Sequence, residues 1–327
     1  MSALLEVQGL EVGFPGPRGK PRLALRGVDL TLGRGERLGI VGESGAGKSM
    51  LGFAILNLLP PPGLVVGGAI RFDGANLLRL RGRAMRAIRG KRISMIFQDP
   101  MATLNPVMTV GAQMVETLAA HERIGARAAR KRAIDMLAAV QVPNPDKRFD
   151  AYPHQLSGGL RQRAVIAIAL LTEPEIVIAD EPTTALDVTI QAEIMALLLR
   201  LCRERQVGLI LITHDLGVVA EVTERLMILY AGRVVEAGPT RALIDRPRHP
   251  YSAGLLAALP ARANPGEALH QIPGSMPGVG DLPEGCAFRP RCERAYARCY
   301  IEVPDLGPDE TDPVRNHACY LPLKDGP

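Results

Sequence analysis

The sequence predicts an α/β fold with buried, parallel-type strands and a small appendage at its C-terminal end. Three observations carry that reading. The stretch LGIVGESGAGKSML at 38–51 is a short apolar strand, a glycine-rich loop and a helical segment in succession. Two further apolar runs, within 175–181 and at 208–212, have the hydrophobicity of strands covered on both faces. From about residue 246 prolines multiply, and four of the five cysteines crowd into the remainder.

Taken in order, residues 4–40 alternate as strands do, with Leu5, Val7, Leu10 and Val12 in one run. Leu23 to Leu25 and Val28 to Leu32 follow, and Gly33 to Glu36 makes a turn. Phe14 closes the first pair of strands. Read alone, it suits a core aromatic as well as a platform for a purine base. The loop then fits G-x-x-x-x-G-K-[ST] at every fixed position: Gly42, Glu43, Ser44, Gly45, Ala46, Gly47, Lys48, Ser49. Its glycines let successive backbone N–H groups turn toward phosphate oxygens, and the next helix aims its positive end at the same anion. Lys48 would reach the β- and γ-phosphates, and the Ser49 hydroxyl would hold Mg²⁺.

Pro60 to Gly63 stop that helix, and short strands follow around 68–72 and 92–97. The arginine-rich run between them, 79–89, reads as a solvated face. Gln98 ends the second strand at the strand-end position where open α/β sheets bind ligands. There it would coordinate Mg²⁺ or orient a water. Residues 107–150 read as amphipathic helices, with Val110, Met114, Leu118, then Ile134, Leu137 and Val140 turned inward. Ser157, Gly158 and Gly159 open an apolar helix over 164–171, a second anion site by the same backbone logic. One phosphate cannot use both sites in one chain, whereas two chains facing head to tail can use them together.

Residues 175–181 end in Asp180 and Glu181. Asp180 suits Mg²⁺, and Glu181, one residue on, points elsewhere and would polarise an attacking water. A tight loop, 182–187, precedes a helix over 188–201. The strand at 208–212 ends in Thr213, His214 and Asp215, which brings His214 out on the sheet edge expected for Asp180 and Gln98.

Composition bounds the partners. The chain has 327 residues and a net charge of +5, but 34 acidic residues are mixed with 39 basic ones, so charge alone does not argue for nucleic acid. No apolar run approaches the roughly 18 residues that span a bilayer. The start carries Glu6 and no basic leader, so a soluble, cytoplasmic protein is expected.

GESGAGKS, the glutamine of IFQDP, LSGGLRQR, IVIADEP, TALD and THD occur in that order. Together they resemble the nucleotide-binding subunit of an ATP-binding-cassette (ABC) transporter over roughly residues 4–245. FQDPMATLNP, YPHQLSGG, ADEPTTALDVTIQAEI and the segment 249–260 resemble more closely the D-type ATPase of bacterial dipeptide and oligopeptide importers. Leu160 departs from the commonest signature, which has Gln there.

The resemblance implies a RecA-like core, an antiparallel β subdomain and a helical subdomain at about 99–172, with an accessory domain at 246–327. It implies ATP bound along Gly42 to Met50 with Phe14 stacked on adenine. Gln98 would sense Mg²⁺ and couple to the membrane subunits. Glu181 would be the catalytic base and His214 its γ-phosphate partner. Ser157, Gly158 and Gly159 would complete the partner ATPase's site, and Asp187 would cross the dimer interface. The implied assembly is a second, F-type ATPase and two transmembrane permeases at the cytoplasmic face of the inner membrane. An extracytoplasmic solute-binding protein takes part indirectly. A nickel or metal-chelate importer is the nearest alternative. A soluble ABC ATPase acting on nucleic acid or ribosomes fits less well, because such proteins usually carry two cassettes or a long coiled-coil insertion. A dead cassette would be expected to lack Lys48, Glu181 or His214.

Cys286, Cys292, Cys299 and Cys319 are the ligand count of a [4Fe–4S] cluster. Cytoplasmic thiols stay reduced, which disfavours disulfides. Zn²⁺ competes, with His317 as a substitute ligand, but these cysteines lack the tight C-x₂₋₄-C spacing of structural zinc sites. Arg289, Arg291, Arg294 and Arg298 among them would favour thiolates. The importer ATPases that the tail resembles carry such a cluster, and its expected role is to staple a tail poor in apolar residues.

Overall fold

The computed structural model describes residues 3–184, 187–259 and 270–324. Ala185 and Leu186 of the loop read at 182–187, and Pro260 of the segment 249–260, lie outside the described residues.

The strands are β1 (Leu5–Phe14), β2 (Arg22–Leu32), β3 (Arg37–Val41), β4 (Leu64–Phe72), β5 (Ala75–Asn76), β6 (Ile93–Ile96), β7 (Ile176–Asp180), β8 (Gly208–Thr213), β9 (Arg225–Tyr230), β10 (Arg233–Pro239), β11 (Gly307–Pro308) and β12 (Asn316–His317). The helices are α1 (Lys48–Ile55), α2 (Gly82–Arg86), α3 (Pro100–Thr103), α4 (Val110–His121), α5 (Ala126–Ala139), α6 (Pro145–Phe149), α7 (Gly158–Leu170), α8 (Val188–Glu204), α9 (Leu216–Val222), α10 (Thr240–Asp245), α11 (Pro250–Ala257) and α12 (Ala297–Ile301). They pack as two compact units: Met1–Gly33, Arg37–Leu78 and Leu211–Pro327 in one, Arg34–Glu36 and Arg79–Ile210 in the other.

In the first unit an antiparallel sheet runs β2-β1-β4-β5. The alternating pattern of β1 works as expected: Leu5, Val7, Leu10 and Val12 are buried, and Leu5 sits opposite both Leu32 and Phe72. The two runs read at 23–25 and 28–32 are one strand, β2, bent through register shifts against β1. The same unit holds strands in the order β11-β12-β10-β9-β3, with β3 parallel to β9 and the other pairs antiparallel. Leu38, Ile40 and Val41 of β3 are fully buried, as a strand covered on both faces requires.

Polar groups tie the tail into this unit. β12 pairs with β10, setting His317 opposite Glu236. Glu236, fully buried, accepts hydrogen bonds from Arg248 N (2.8 Å), His249 N (2.9 Å) and Arg315 Nη2 (3.2 Å). Arg248 also donates to Asp309 (2.6 Å) and to Thr311 (2.7 Å). An aromatic cluster adds apolar contact: Phe288 packs edge-on to Tyr230 (centroids 5.2 Å apart) and tilted against Tyr251 (5.4 Å).

In the second unit β6 and β7 are parallel, Ile93 opposite Ile176, and every residue of both is buried. Glu175, just before β7, accepts from both Arg34 and Arg92. Helices α3 to α7 form the helical part. Val110, Met114 and Leu118 are buried on α4 as the periodicity predicts. On α5 the buried stripe is Ala129, Ala133, Met136 and Leu137, with Val140 at its end. Ile134 is only half-buried, a correction with a simple cause. Small alanines at i and i+4 let the helix approach its neighbours closely, and that rotates the stripe one position.

Candidate active site

The glycine-rich loop joins β3 to α1, both in the first unit. Two glycines are obligatory there. A Cβ on Gly42 would stand 2.3 Å from Leu229 O. Gly47 caps α1 with φ at +101°, and a Cβ there would meet the Leu25 side chain at 2.8 Å and Ala24 O at 2.9 Å. Lys48 is buried, and its ammonium donates to Gly42 O (2.7 Å) and Glu43 O (3.0 Å), so the cation lies folded across its own loop. Ser49 and Met50 are half-buried in the first turn of α1.

Phe14 closes β1 half-buried, and a Cβ on Gly63 would come within 3.0 Å of its ring. The ring is therefore backed on one side by a residue without a side chain. His214 follows β8 and is exposed, while Asp215 beside it caps α9 through Gly217 N (2.8 Å) and Val218 N (3.2 Å).

In the second unit Asp180 ends β7 and is buried. Glu181 leaves the strand with φ at +46°, a left-handed conformation that an ordinary side chain adopts at a cost of roughly 1–2 kcal/mol. The turn aims its carboxylate at two donors: Thr184 Oγ1 at 2.9 Å and Gln98 Nε2 at 3.2 Å reach the same oxygen, Oε2. The structure thus joins Gln98 and Glu181, whose expected roles are separate. Glutamine and glutamate at two strand ends carry no sequence signal of that pairing.

Ser157 caps α7, its hydroxyl accepting from Leu160 N at 3.4 Å. Ser157 and Gly158 are exposed and Gly159 half-buried, where a Cβ would come within 3.2 Å of Ile190. Asp187 is exposed at the start of α8, and its side chain makes no capping bond. One feature of this unit has no sequence signal at all. A cleft of about 450 Å³ lies among Phe97, Asn105, Met108, Gln113, Thr117 and Val165. Nearby in the sequence, on α3 and before α4, Met101 is 58% and Val107 79% exposed.

In the tail Cys286, Cys292, Cys299 and Cys319 all line one small cavity, and His317 does not. Cys286 N donates to Cys299 O at 2.9 Å. Among the described residues no group of three or more His, Cys, Asp or Glu is set to hold a single metal ion. The expected help from the arginines is largely spent elsewhere. Arg289 donates to Glu284 O and Tyr300 O, Arg291 to Glu43, and Arg298 to Glu302. Burial, then the neighbouring thiols, pushes the Cys319 thiol up to about 11. Cys286 is raised for the same reasons. Burial also raises Cys292, although Arg294 pulls it the other way.

No helix among the described residues is long and apolar enough to cross a membrane.

Residues 25–184 match the ABC transporter family, and 235–299 match the oligopeptide/dipeptide transporter C-terminal region. The chain is 46% identical over 323 residues to the dipeptide transport ATP-binding protein DppD of Escherichia coli K12, covering 99% of this chain and 98% of that one. It is 49% identical over 308 residues to the oligopeptide transport ATP-binding protein OppD of Bacillus subtilis 168, covering 94% and 86%. Among solved structures it resembles a dimeric post-hydrolysis state of the ATP-binding cassette MJ0796 bound to ADP and Pi. The TM-score is 0.65 and the identity 29%, over 72% of this chain and 99% of that one. The fold is that of an ABC ATPase, and the chain belongs to the family of dipeptide and oligopeptide transport ATP-binding proteins.

Proposed function

We propose that this chain is the ATP-hydrolysing subunit of a bacterial importer of di- and oligopeptides, working peripherally at the cytoplasmic face of the inner membrane. The observation that carries the reading is 46–49% identity to peptide-transport ATP-binding proteins along nearly the whole chain, tail included.

ATP with its Mg²⁺ is the substrate. The loop from Gly42 to Met50 takes the phosphates on its backbone N–H groups, and Lys48 leaves the loop carbonyls for the β- and γ-oxygens. Phe14 offers its ring to adenine. The hydroxyl of Ser49, the carboxamide of Gln98 and the carboxylate of Asp180 are hard oxygen donors suited to Mg²⁺. Glu181 takes the proton of the attacking water, and His214 steadies the γ-phosphate. The left-handed backbone at Glu181 supports that assignment, because such strain gathers at functional sites. Ser157, Gly158, Gly159 and Asp187 serve the partner ATPase, and the exposure of Ser157, Gly158 and Asp187 suits an interface role. Two ATPases, the second of F type, close around two ATP molecules, and hydrolysis reopens them.

The cleft beside Phe97, with Met101 and Val107 exposed, suits the docking of permease segments, while the solute-binding protein acts through those permeases. We keep residues 1–245 as the nucleotide-binding domain and 246–327 as its accessory domain. The four thiols converging on one cavity suit a [4Fe–4S] cluster better than Zn²⁺, which needs ligands grouped around a single ion. When bound, the cluster would staple the tail.

Purification from the native host with mass spectrometry of co-purifying chains tests the reading. Two permeases and a second ATPase are expected. Ribosomal proteins or nucleic acid in their place would overturn it.

A further inference from the structure

Glu43 is an awkward residue for its position. A carboxylate inside a phosphate-binding loop repels a highly charged anion, and its desolvation on closure adds to the cost. The tail removes that problem. Arg291 places Nη1 2.6 Å from Glu43 Oε2 and Nη2 2.9 Å from Oε1, a bidentate fork across 248 positions of sequence. The arginine side chain is 4% exposed and the carboxylate 32%. Its Nε donates to Pro273 O at 2.8 Å and its ring-face neighbour is Tyr230, so the guanidinium is oriented before Glu43 meets it.

A second tail residue holds the same loop position. Glu43 N donates to the hydroxyl of Tyr251 at 2.9 Å. Glu43 O meanwhile accepts from Lys48 Nζ and from Ala46 N (3.2 Å). The amide, the carbonyl and the carboxylate of Glu43 are therefore each fixed, two of them by residues beyond position 250.

We infer that Arg291 is a positioning residue for ATP binding: it neutralises and orients Glu43, which makes the tail part of the nucleotide site. The inference rests on the loop being the ATP site. Cys292, which lines the four-cysteine cavity, is the next residue, so whatever fills that cavity bears on the fork that grips the loop.

The test measures the KM for Mg-ATP and kcat in the assembled transporter for R291Q, R291K, E43Q and the double variant E43Q/R291Q, with K48A as control. R291Q exposes a bare carboxylate to the phosphates, and its KM should rise about tenfold with kcat nearly unchanged. R291K keeps the charge without the fork and should rise about threefold. Adding E43Q to R291Q should bring KM back to within about threefold of that of E43Q alone, as a coupled pair requires. A double variant as impaired as R291Q, or R291Q with a wild-type KM, overturns the inference. Should R291Q not be recovered folded, a wild-type KM in R291K overturns it instead. Unchanged affinity in K48A would refute the reading of the loop itself.

Discussion

Glu236 is a point at which the tail is fixed to the core, and replacing it by Gln should loosen the tail while leaving the rest of the chain folded. The carboxylate is fully buried and takes three donors: Arg248 N and Arg315 Nη2 on Oε1, His249 N on Oε2. A glutamine must put its NH₂ where one oxygen was, so in either orientation a donor faces a backbone donor. The unsatisfied N–H costs roughly 1–3 kcal/mol, and the lost ionic bond from Arg315 roughly 1.5–3 kcal/mol. Arg315 is 2% exposed, and for that nitrogen it keeps Arg246 O as its one other acceptor among the described residues. The total, about 2.5–6 kcal/mol, brackets the roughly 3–5 kcal/mol that breaking a buried pair from one side costs. Hydrogen exchange is the proper assay, because two compact units make a single unfolding free energy ill-defined. The amide of Ala318, which donates to Val235 O at 2.8 Å, should exchange roughly a hundredfold faster or more in E236Q. Protection there within threefold of wild type would refute the reasoning.

Three further outcomes follow from particular residues. Burial raises the Asp309 carboxyl, but Thr311 and Arg248 outweigh it and hold the group down at about 2. The folded chain thus binds its proton later than the unfolded one, so the contribution of Asp309 is complete above about pH 4 and lost as pH falls through 2; acid titration of tail exchange should show this in wild type, and D309N should flatten it. Ser157→Cys should crosslink to a cysteine placed in the phosphate-binding loop of the partner ATPase when ATP is bound, and crosslinks forming only within one chain would contradict the head-to-tail pairing. Anaerobic purification should give a brown protein with iron and sulfide each near about four per chain. A colourless protein with one zinc would replace the cluster by the competing metal.

The parts legible in the sequence are those where chemistry restricts residue type along a short stretch. The loop at Gly42 to Ser49 is one, since Gly42 has a carbonyl against its face and Gly47 needs a left-handed backbone. The strands at 38–41 and 176–180 are another, because burial on both faces selects apolar residues up to the strand end, where Asp180 stands. Contacts that join distant positions were not legible. Nothing local tells that Gln98 reaches Glu181, or that Arg291 reaches Glu43. The arginines of the tail read as partners for thiolates, yet three of them are drawn to carboxylates and carbonyls, which bind guanidinium more strongly than a buried thiol does. Ile134 was misplaced for a similar reason: the stripe on α5 is set by how near its alanines let the neighbours come.

The most direct test of the central claim is ATP turnover by the assembled transporter carrying Glu181→Gln, measured with nucleotide retention and beside Lys48→Ala. Loss of the general base should slow hydrolysis by roughly 10²–10⁴-fold with ATP still bound. Lys48→Ala should fail earlier, at binding. Hydrolysis at the wild-type rate in Glu181→Gln would contradict the account, because the strained carboxylate at the end of β7 would then not be the base.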